Sequence, residues 1–166
     1  MRHSVWYFRQ WWVLGLTLMF GSFTASAESS TQADNSSLEL LAIIAAVEEG
    51  WETANGGAFR EHFLDFDGAR YVESGGQNEG LQDLIEHHVE PEGDALAGLD
   101  LAFTNIETHV EGDFAWAIAD VEVKAIIRKD ERAIHNRGYE TFLFRRVDGD
   151  WKVVHTHSSS RPVKKQ

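Results

Sequence analysis

Between Ser36 and Trp51 the apolar residues return at Leu40, Ile44, Val47 and Trp51, intervals that lay them along one face of an α-helix. Ser36 followed by Glu39 has the form of a capping box, so this helix is expected to open at Ser36. Asn55-Gly56-Gly57 is expected to stop it with a left-handed residue. A short helical piece follows, buried through Phe59, Phe63 and Leu64 or Phe66. Tyr71 and Val72 predict a short strand closed by Gly75-Gly76. A second clear helix starts near Gly80, with Leu81, Leu84, Ile85 and His88 on one face, and Pro91 is expected to end it. After Leu99 the period drops to two and β-branched and aromatic residues take over. Four strands are predicted, 99–111, 113–128, 134–147 and 151–160. Glu111-Gly112-Asp113, Lys129 to Arg132 and Asp148-Gly149-Asp150 mark the turns, and the first and last of these are strong hairpin signals.

Helices followed by a run of antiparallel strands is an α+β layout. A long hairpin-connected sheet must curl, and only the N-terminal helices can cover its inner face. The expected fold is therefore a cone-shaped half-barrel, a curved antiparallel sheet covered by helices, with a pocket between sheet and lid.

Arg2 and Arg9 precede a short apolar run, Trp11 to Phe20, and Ala25-Ser26-Ala27 has the small residues of a cleavage site. Residues 1–27 are thus expected to be a secretory signal peptide cleaved after Ala27, which places the protein in the periplasm or outside the cell; an uncleaved anchor is the alternative. Residues 28–35 read as a flexible leader, 36–160 as one domain and 161–166 as a basic tail. Removing residues 1–27 takes away two arginines and no acid, so the formal net charge moves from −12 to −14. Such acidity argues against nucleic acid and against an anionic membrane surface as partners after signal cleavage. With no cysteine there is no disulfide framework.

The stretch Gly138 to Pro162, GYETFLFRRVDGDWKVVHTHSSSRP, resembles the last hairpin of nuclear-transport-factor-2-like domains. It is similar to the SnoaL-like group and to the association (hub) domain of calcium/calmodulin-dependent protein kinase II. The matching positions are Glu140-Thr141, Arg146, Asp148-Gly149-Asp150-Trp151 and Val154 to Ser159. Upstream, Asn55-Gly56-Gly57-Ala58-Phe59, Gly80-Leu81 and Gly112-Asp113 agree in order, so the resemblance covers about residues 36 to 160. It implies the cone fold and frequent pairing, and it leaves activity open because this fold hosts isomerases, cyclases, dehydratases, hubs and binding modules. The arginines with which the hub holds small acids would fall at Phe142 and Ser158, neither of them charged, so carboxylate binding is not implied.

Strand alternation puts Trp151, Val153, His155 and His157 on one face and Val154, Thr156 and Ser158 on the other. Glu140, Phe142, Phe144 and Arg146 share a face of the preceding strand. Matching to the hub turns Phe142 and Ser158 inward and His155 and His157 outward; spacing alone does not choose the face. His88 lies on the apolar face of the second helix, and a buried histidine needs a partner, for which Glu140 is the candidate. Glu86-His87-His88-Val89-Glu90-Pro91-Glu92 invites a metal reading. Adjacent His87 and His88, however, diverge by about a hundred degrees on a helix, so neither metal nor organic cofactor is expected. Trp116 and Ile118 face away from the Ala115-Ala117-Ala119 stripe and suit a dimer interface, or a pocket if the face is reversed.

The expectation is an exported, homodimeric domain that binds a small, largely apolar molecule. Trp51, Tyr71, Phe142 and Phe144 would wall the pocket, with His88, Glu140, Thr156 and Ser158 as polar contacts and Trp116, His155 and His157 on the dimer face. Two alternatives stand beside it. One is a cofactor-free isomerase, hydratase or cyclase with His88 or Glu140 as general base and Tyr71 or Ser158 as oxyanion donor. The other is a hub-like assembly module.

Overall fold

A computed structural model describes residues 24–164; the apolar run Trp11 to Phe20 and the end of the basic tail lie outside the described residues. Helix α1 (Thr24–Glu52) and short α2 (Gly57–His62) lead into strands β1 (Arg70–Glu73) and β2 (Gly76–Glu79). A helical passage follows, α3 (Leu81–Leu84), a π-helical turn (Ile85–Val89) and α4 (Glu90–Ala95). The long meander β3 (Leu96–Glu111), β4 (Phe114–Ile127), β5 (Arg132–Val147) and β6 (Asp150–Pro162) completes the chain.

The six strands form one open sheet in the order β2-β1-β6-β5-β4-β3. All neighbours are antiparallel except β1 and β6, which run parallel with Tyr71 opposite Thr156. The sheet is therefore mixed rather than wholly antiparallel. The meander leaves β6 as an open edge, and the β1–β2 hairpin, made much earlier in the chain, closes it. Strand β2 escapes the sequence pattern because Gly76-Gln77-Asn78-Glu79 has no β-branched or aromatic residue.

The other edge, β3, is covered from above. Glu52 and Glu48, one turn apart on α1, accept the backbone N–H groups of Leu101 at 3.1 Å and Phe103 at 2.7 Å. Two donors that would otherwise invite strand addition are thereby satisfied by the helix. Beneath α1, Leu40, Ile43, Ile44 and Val47 bury themselves with Ala115, Ala117, Phe142 and Phe144. The alanines are fully buried, and their small side chains let helix and sheet approach closely.

Three local expectations change. Within the described residues helix α1 already runs through the polar stretch 28–35, so Ser36 is interior to the helix rather than its cap. Its buried hydroxyl instead accepts from Arg146 Nη2 at 2.8 Å, while the same guanidinium lies 4.6 Å over the ring of Trp151. The left-handed residue after α1 is Ala54, φ 50°, and Asn55 accepts the N–H of Gly57 through its side chain. Pro91 does not end the second helix, which continues to Ala95. The π turn resets the ladder so that the proline falls in the first turn of α4, where its missing N–H is not needed.

Both expected tight hairpins are present, with Gly112 (φ 64°) and the Asp148-Gly149 pair (φ 53° and 97°) at positive φ. Arg161 and Pro162, assigned to a loose tail, are the last residues of β6 and pair with Arg137 and Asn136.

The alternation of β6 breaks once. Phe144 pairs with Val153 and Leu143 with His155, so Val154 is an extra residue, a β-bulge. Trp151 and Val153 are buried in the core ahead of it. Beyond it Thr156, Ser158 and Ser160 line the inner face. His155 and His157 consequently stand on the face opposite Trp151 and Val153, contrary to the simple alternation and in line with the resemblance.

Candidate functional site

A cavity of about 100 Å3 lies between the inner face of the sheet and the helices. Its apolar end is built from helix and meander together. Trp51 comes from the last turn of α1, Phe59 and Phe63 from α2 and its exit, Phe103 from β3 and Phe142 from β5. The rings pack edge to face, with Trp51 and Phe59 centroids 5.2 Å apart and Phe103 and Phe142 5.4 Å apart.

The polar end is built by the β1–β2 hairpin, the helical passage and the ends of β5 and β6. His88, half-buried, stands edge-on to Trp51 with ring centroids 4.9 Å apart. Its Nε2 lies 3.1 Å from Glu73 Oε2, and its Nδ1 2.9 Å from Asn78 Oδ1. Glu92, one helical turn on, is 3.8 Å from Nε2. Both ring nitrogens thus face acceptors, which favours the doubly protonated imidazolium. The bond to Glu73 raises the histidine pKa above its ordinary value against the opposing effect of burial. The Glu92 carboxyl is pushed up to about 7, by burial first, with His88 pulling it down and Glu73 pushing it up.

Glu140 projects from β5 opposite Ala119 and Ser158 and is only 8% exposed. Among the described residues its carboxyl has no side-chain hydrogen-bond partner. Burial, and then the neighbouring charge of Glu73, push its pKa up to about 8, so the group is mostly a neutral acid at pH 7. Tyr71, from β1, is 2% exposed and its hydroxyl also lacks a partner. Burial, with the Asp65 carboxylate second, pushes that hydroxyl up to about 12, so it remains a proton-bearing donor.

Of the sequence-derived pocket residues, Trp51, Tyr71, His88, Glu140, Phe142, Thr156 and Ser158 all line this cavity. Phe144 does not. It is fully buried behind Phe142, ring centroids 6.1 Å apart, and belongs to the core. Nor do His88 and Glu140 form the anticipated pair, because the histidine's two nitrogens are taken by Glu73 and Asn78. Those residues and Ser160 escaped the sequence reading, and Glu92 entered it only within the Glu86 to Glu92 run. Glu92 stands at i+4 from His88, and Glu73 shares the strand face of Tyr71. Asn78 pairs directly with Tyr71 across the hairpin, which only an assigned β2 would have revealed.

Trp116, His155 and His157 lie together on the outer face. Trp116 stacks on His109 at 4.0 Å, and His155 Nδ1 donates to the carbonyl of Arg70 at 2.6 Å. Ile118 and Tyr139, 40% and 61% exposed, extend the same surface. Among the described residues no group of three or more His, Asp or Glu is arranged to hold a metal ion, and no helix is long and apolar enough to cross a membrane.

A curved six-stranded sheet closed by N-terminal helices over an inner cavity defines a nuclear-transport-factor-2-like domain. The chain belongs to the SnoaL-like family, whose model matches residues 40–164. Among solved structures, it is similar to a nuclear transport factor 2 (NTF2-like) superfamily protein from Salmonella enterica serovar Typhimurium LT2. That match has TM-score 0.69 and 20% identity, and covers 78% of this chain and 92% of the other. LinA is similar at TM-score 0.66 and 18% identity, covering 78% and 90%. An NTF-2 like protein of unknown function from Shewanella oneidensis MR-1 is similar at TM-score 0.55 and 15% identity, covering 74% and 98%. At these identities the likeness is one of fold. Comparison with functionally curated proteins finds no match.

Proposed function

We propose that the domain binds a small molecule with a largely apolar body and one polar group, seated with the body among the aromatic rings and the polar group against Glu140 and Tyr71. The observation that carries this reading is the buried, unpartnered carboxyl of Glu140 at one end of an aromatic-walled cavity. Buried polar groups are as a rule hydrogen-bonded, and one left free at a cavity wall is a group waiting for a ligand. Native mass spectrometry of the protein from its producing cells tests it. A reproducible small-molecule adduct is expected, lost in Phe142→Trp, whose larger ring fills the cavity. Empty protein throughout, with no thermal shift from any compound in a broad small-molecule set, overturns it.

A second reading is favoured by the same polar end: a cofactor-independent proton-transfer enzyme of the isomerase, hydratase or cyclase type. Glu140 is a neutral acid near pH 7, and the Glu73–His88 pair supplies a carboxylate and an imidazolium beside it, so a proton could be given and taken within one cavity. The Tyr71 hydroxyl would donate to a developing oxyanion. Turnover of any substrate found in the adduct experiment, lost in Glu140→Gln with the fold intact, distinguishes catalysis from binding.

The proposal extends to context. Export through the Trp11 to Phe20 segment, with cleavage after Ala27, would place the domain in the periplasm or medium; N-terminal sequencing of the exported protein reads this directly. Homodimerisation would use the outer sheet face around Trp116 and Ile118, bordered by His155 and His157. Trp116→Asp is expected to convert a dimer to a monomer in sedimentation, and a wild-type monomer would dismiss that interface.

A further inference from the structure

The cavity's charge inventory goes beyond the binding reading, on which this inference rests, and points to a ligand class. Every titratable side chain that lines it comes from one of three places. The β1–β2 hairpin gives Tyr71 and Glu73, the helical passage gives His88 and Glu92, and β5 gives Glu140. Among the described residues no lysine or arginine lines it. The α1 carboxylates nearest the cavity, Glu48 and Glu52, are already engaged by the backbone of β3. Lining residues from β3 and β4 are apolar. Three carboxyl groups therefore face one imidazole, and that imidazole is spent on Glu73.

An acidic ligand would meet the Glu73 carboxylate and a partly ionised Glu92, with the one imidazole already spent on Glu73. Its own charge would hold Glu140 protonated rather than draw on it, so the lining disfavours carboxylates and phosphates. A cation meets the opposite situation. Among the described residues the hydroxyl of Tyr71, 2% exposed, is buried without a hydrogen-bond partner, and Glu140, 8% exposed, makes no side-chain hydrogen bond. Each can accept an N–H. The faces of Trp51, Phe103 and Phe142 add the ring quadrupoles that attract ammonium groups. The formal charge of −12 on the whole chain raises the local concentration of cations at the cavity mouth.

We propose that the ligand is an organic amine, a primary or secondary ammonium on an apolar body, with Glu140 as its counter-ion. Binding is then coupled to a proton: the Glu140 carboxyl, neutral in the free protein, loses its proton to solvent as the ammonium arrives, leaving a carboxylate–ammonium pair and no net change in cavity charge. A neutral ligand that accepts from the Glu140 O–H is the competing occupant, and it releases no proton.

Isothermal titration with three matched probes, benzylammonium, benzyl alcohol and benzoate, decides the matter when run near pH 7 in two buffers of different ionisation enthalpy. Benzylammonium is expected to bind at least about tenfold tighter than benzyl alcohol, an order of magnitude within reach of a desolvated ion pair and cation–π contact. Its heat should differ between buffers by an amount equal to the release of about one proton, as the carboxyl at about 8 requires. Glu140→Gln, checked for folding by thermal melting, should erase both the preference and the buffer dependence. Benzyl alcohol or benzoate binding as well as benzylammonium, or amine binding without proton release, overturns the amine assignment and leaves the small-molecule reading standing. Failure of all three probes to bind overturns the amine assignment, while the small-molecule reading falls only with empty protein and no thermal shift across the broad compound set.

Discussion

Glu73 and His88 face each other at 3.1 Å across the mouth of the cavity, one from strand β1 and the other from the π turn. The contact joins the β1–β2 hairpin to the helical passage, and Asn78 on β2 holds the other ring nitrogen. Glu73 also adds its charge to the burial that keeps Glu140 protonated. A single carboxylate thus favours the charged form of one group and, added to burial, the neutral form of a second.

Removing that carboxylate should move both groups downward. In Glu73→Gln the main stabiliser of the His88 imidazolium is gone and burial works against it, so the histidine should titrate below its wild-type value. Proton NMR of the His88 ring across neutral pH measures this. A histidine that titrates as in the wild type would mean that Glu73 does not govern its charge.

Stability should fall as pH rises through neutrality. Glu140 has a folded pKa of about 8 against an ordinary 4.5, so the folded state holds a proton that the unfolded chain releases. Its burial costs little below pH 4.5, and the cost grows up to about pH 8, to at most about 5 kcal/mol at 1.36 kcal/mol per unit. Glu92, at about 7, acts in the same direction. His88, whose pKa is raised, loses its contribution above its ordinary range, again on the alkaline side. Thermal melts from about pH 5 to about pH 8.5 should show this decline in the wild type and a shallower one in Glu140→Gln, which should also be the more stable protein at the alkaline end. Equal slopes would contradict the assignment of a buried neutral acid.

Arg146 ties the last hairpin to the first helix. Arg146→Ala strips the buried Ser36 hydroxyl of its donor and the Trp151 ring of its cation, an expected loss of about 1–3 kcal/mol. Arg146→Lys should recover only part of it, since an ammonium lacks the planar fork that reaches both partners. Urea unfolding of the two variants gives the comparison. A full rescue by lysine would mean that charge alone matters there.

Phe144 and Phe142 should separate stability from binding. Phe144→Ala opens a void in a fully buried site and is expected to cost roughly 3–5 kcal/mol while leaving the cavity wall in place. Phe142→Ala should in addition change ligand affinity, because that ring lines the cavity. Unfolding free energies paired with ligand titrations distinguish the two, and an affinity change in Phe144→Ala at least as large as that in Phe142→Ala would put the wrong ring in the wall.

The long-period features were legible in the sequence. The apolar faces of α1 and of the helix begun at Leu81, the two tight turns at Gly112 and Gly149, and the Ala115-Ala117-Ala119 stripe all follow from periodicity and turn chemistry. Seven of the eight expected pocket residues meet in one cavity for the same reason. The failures have a common origin in the short and irregular parts. Strand β2 has no strand-forming residue, the π turn that carries the chain through Pro91 has no residue signature, and the bulge at Val154 interrupts a run with no glycine to announce it. The partners of His88 come from the hairpin whose second strand was missed, so the error in the site descends from the error in the fold.

The bulge at Val154 divides β6 into two phases with separate duties. Residues ahead of it answer to the core, and those beyond it furnish the hydroxyls of the cavity, so each half can change without disturbing the other's facing. A regular ladder that kept Val154 in the pairing would turn Thr156, Ser158 and Ser160 to the outer surface and bring His155 and His157 in toward Glu140, so it is this one looped-out residue that makes the chamber hydroxyl-lined rather than imidazole-lined.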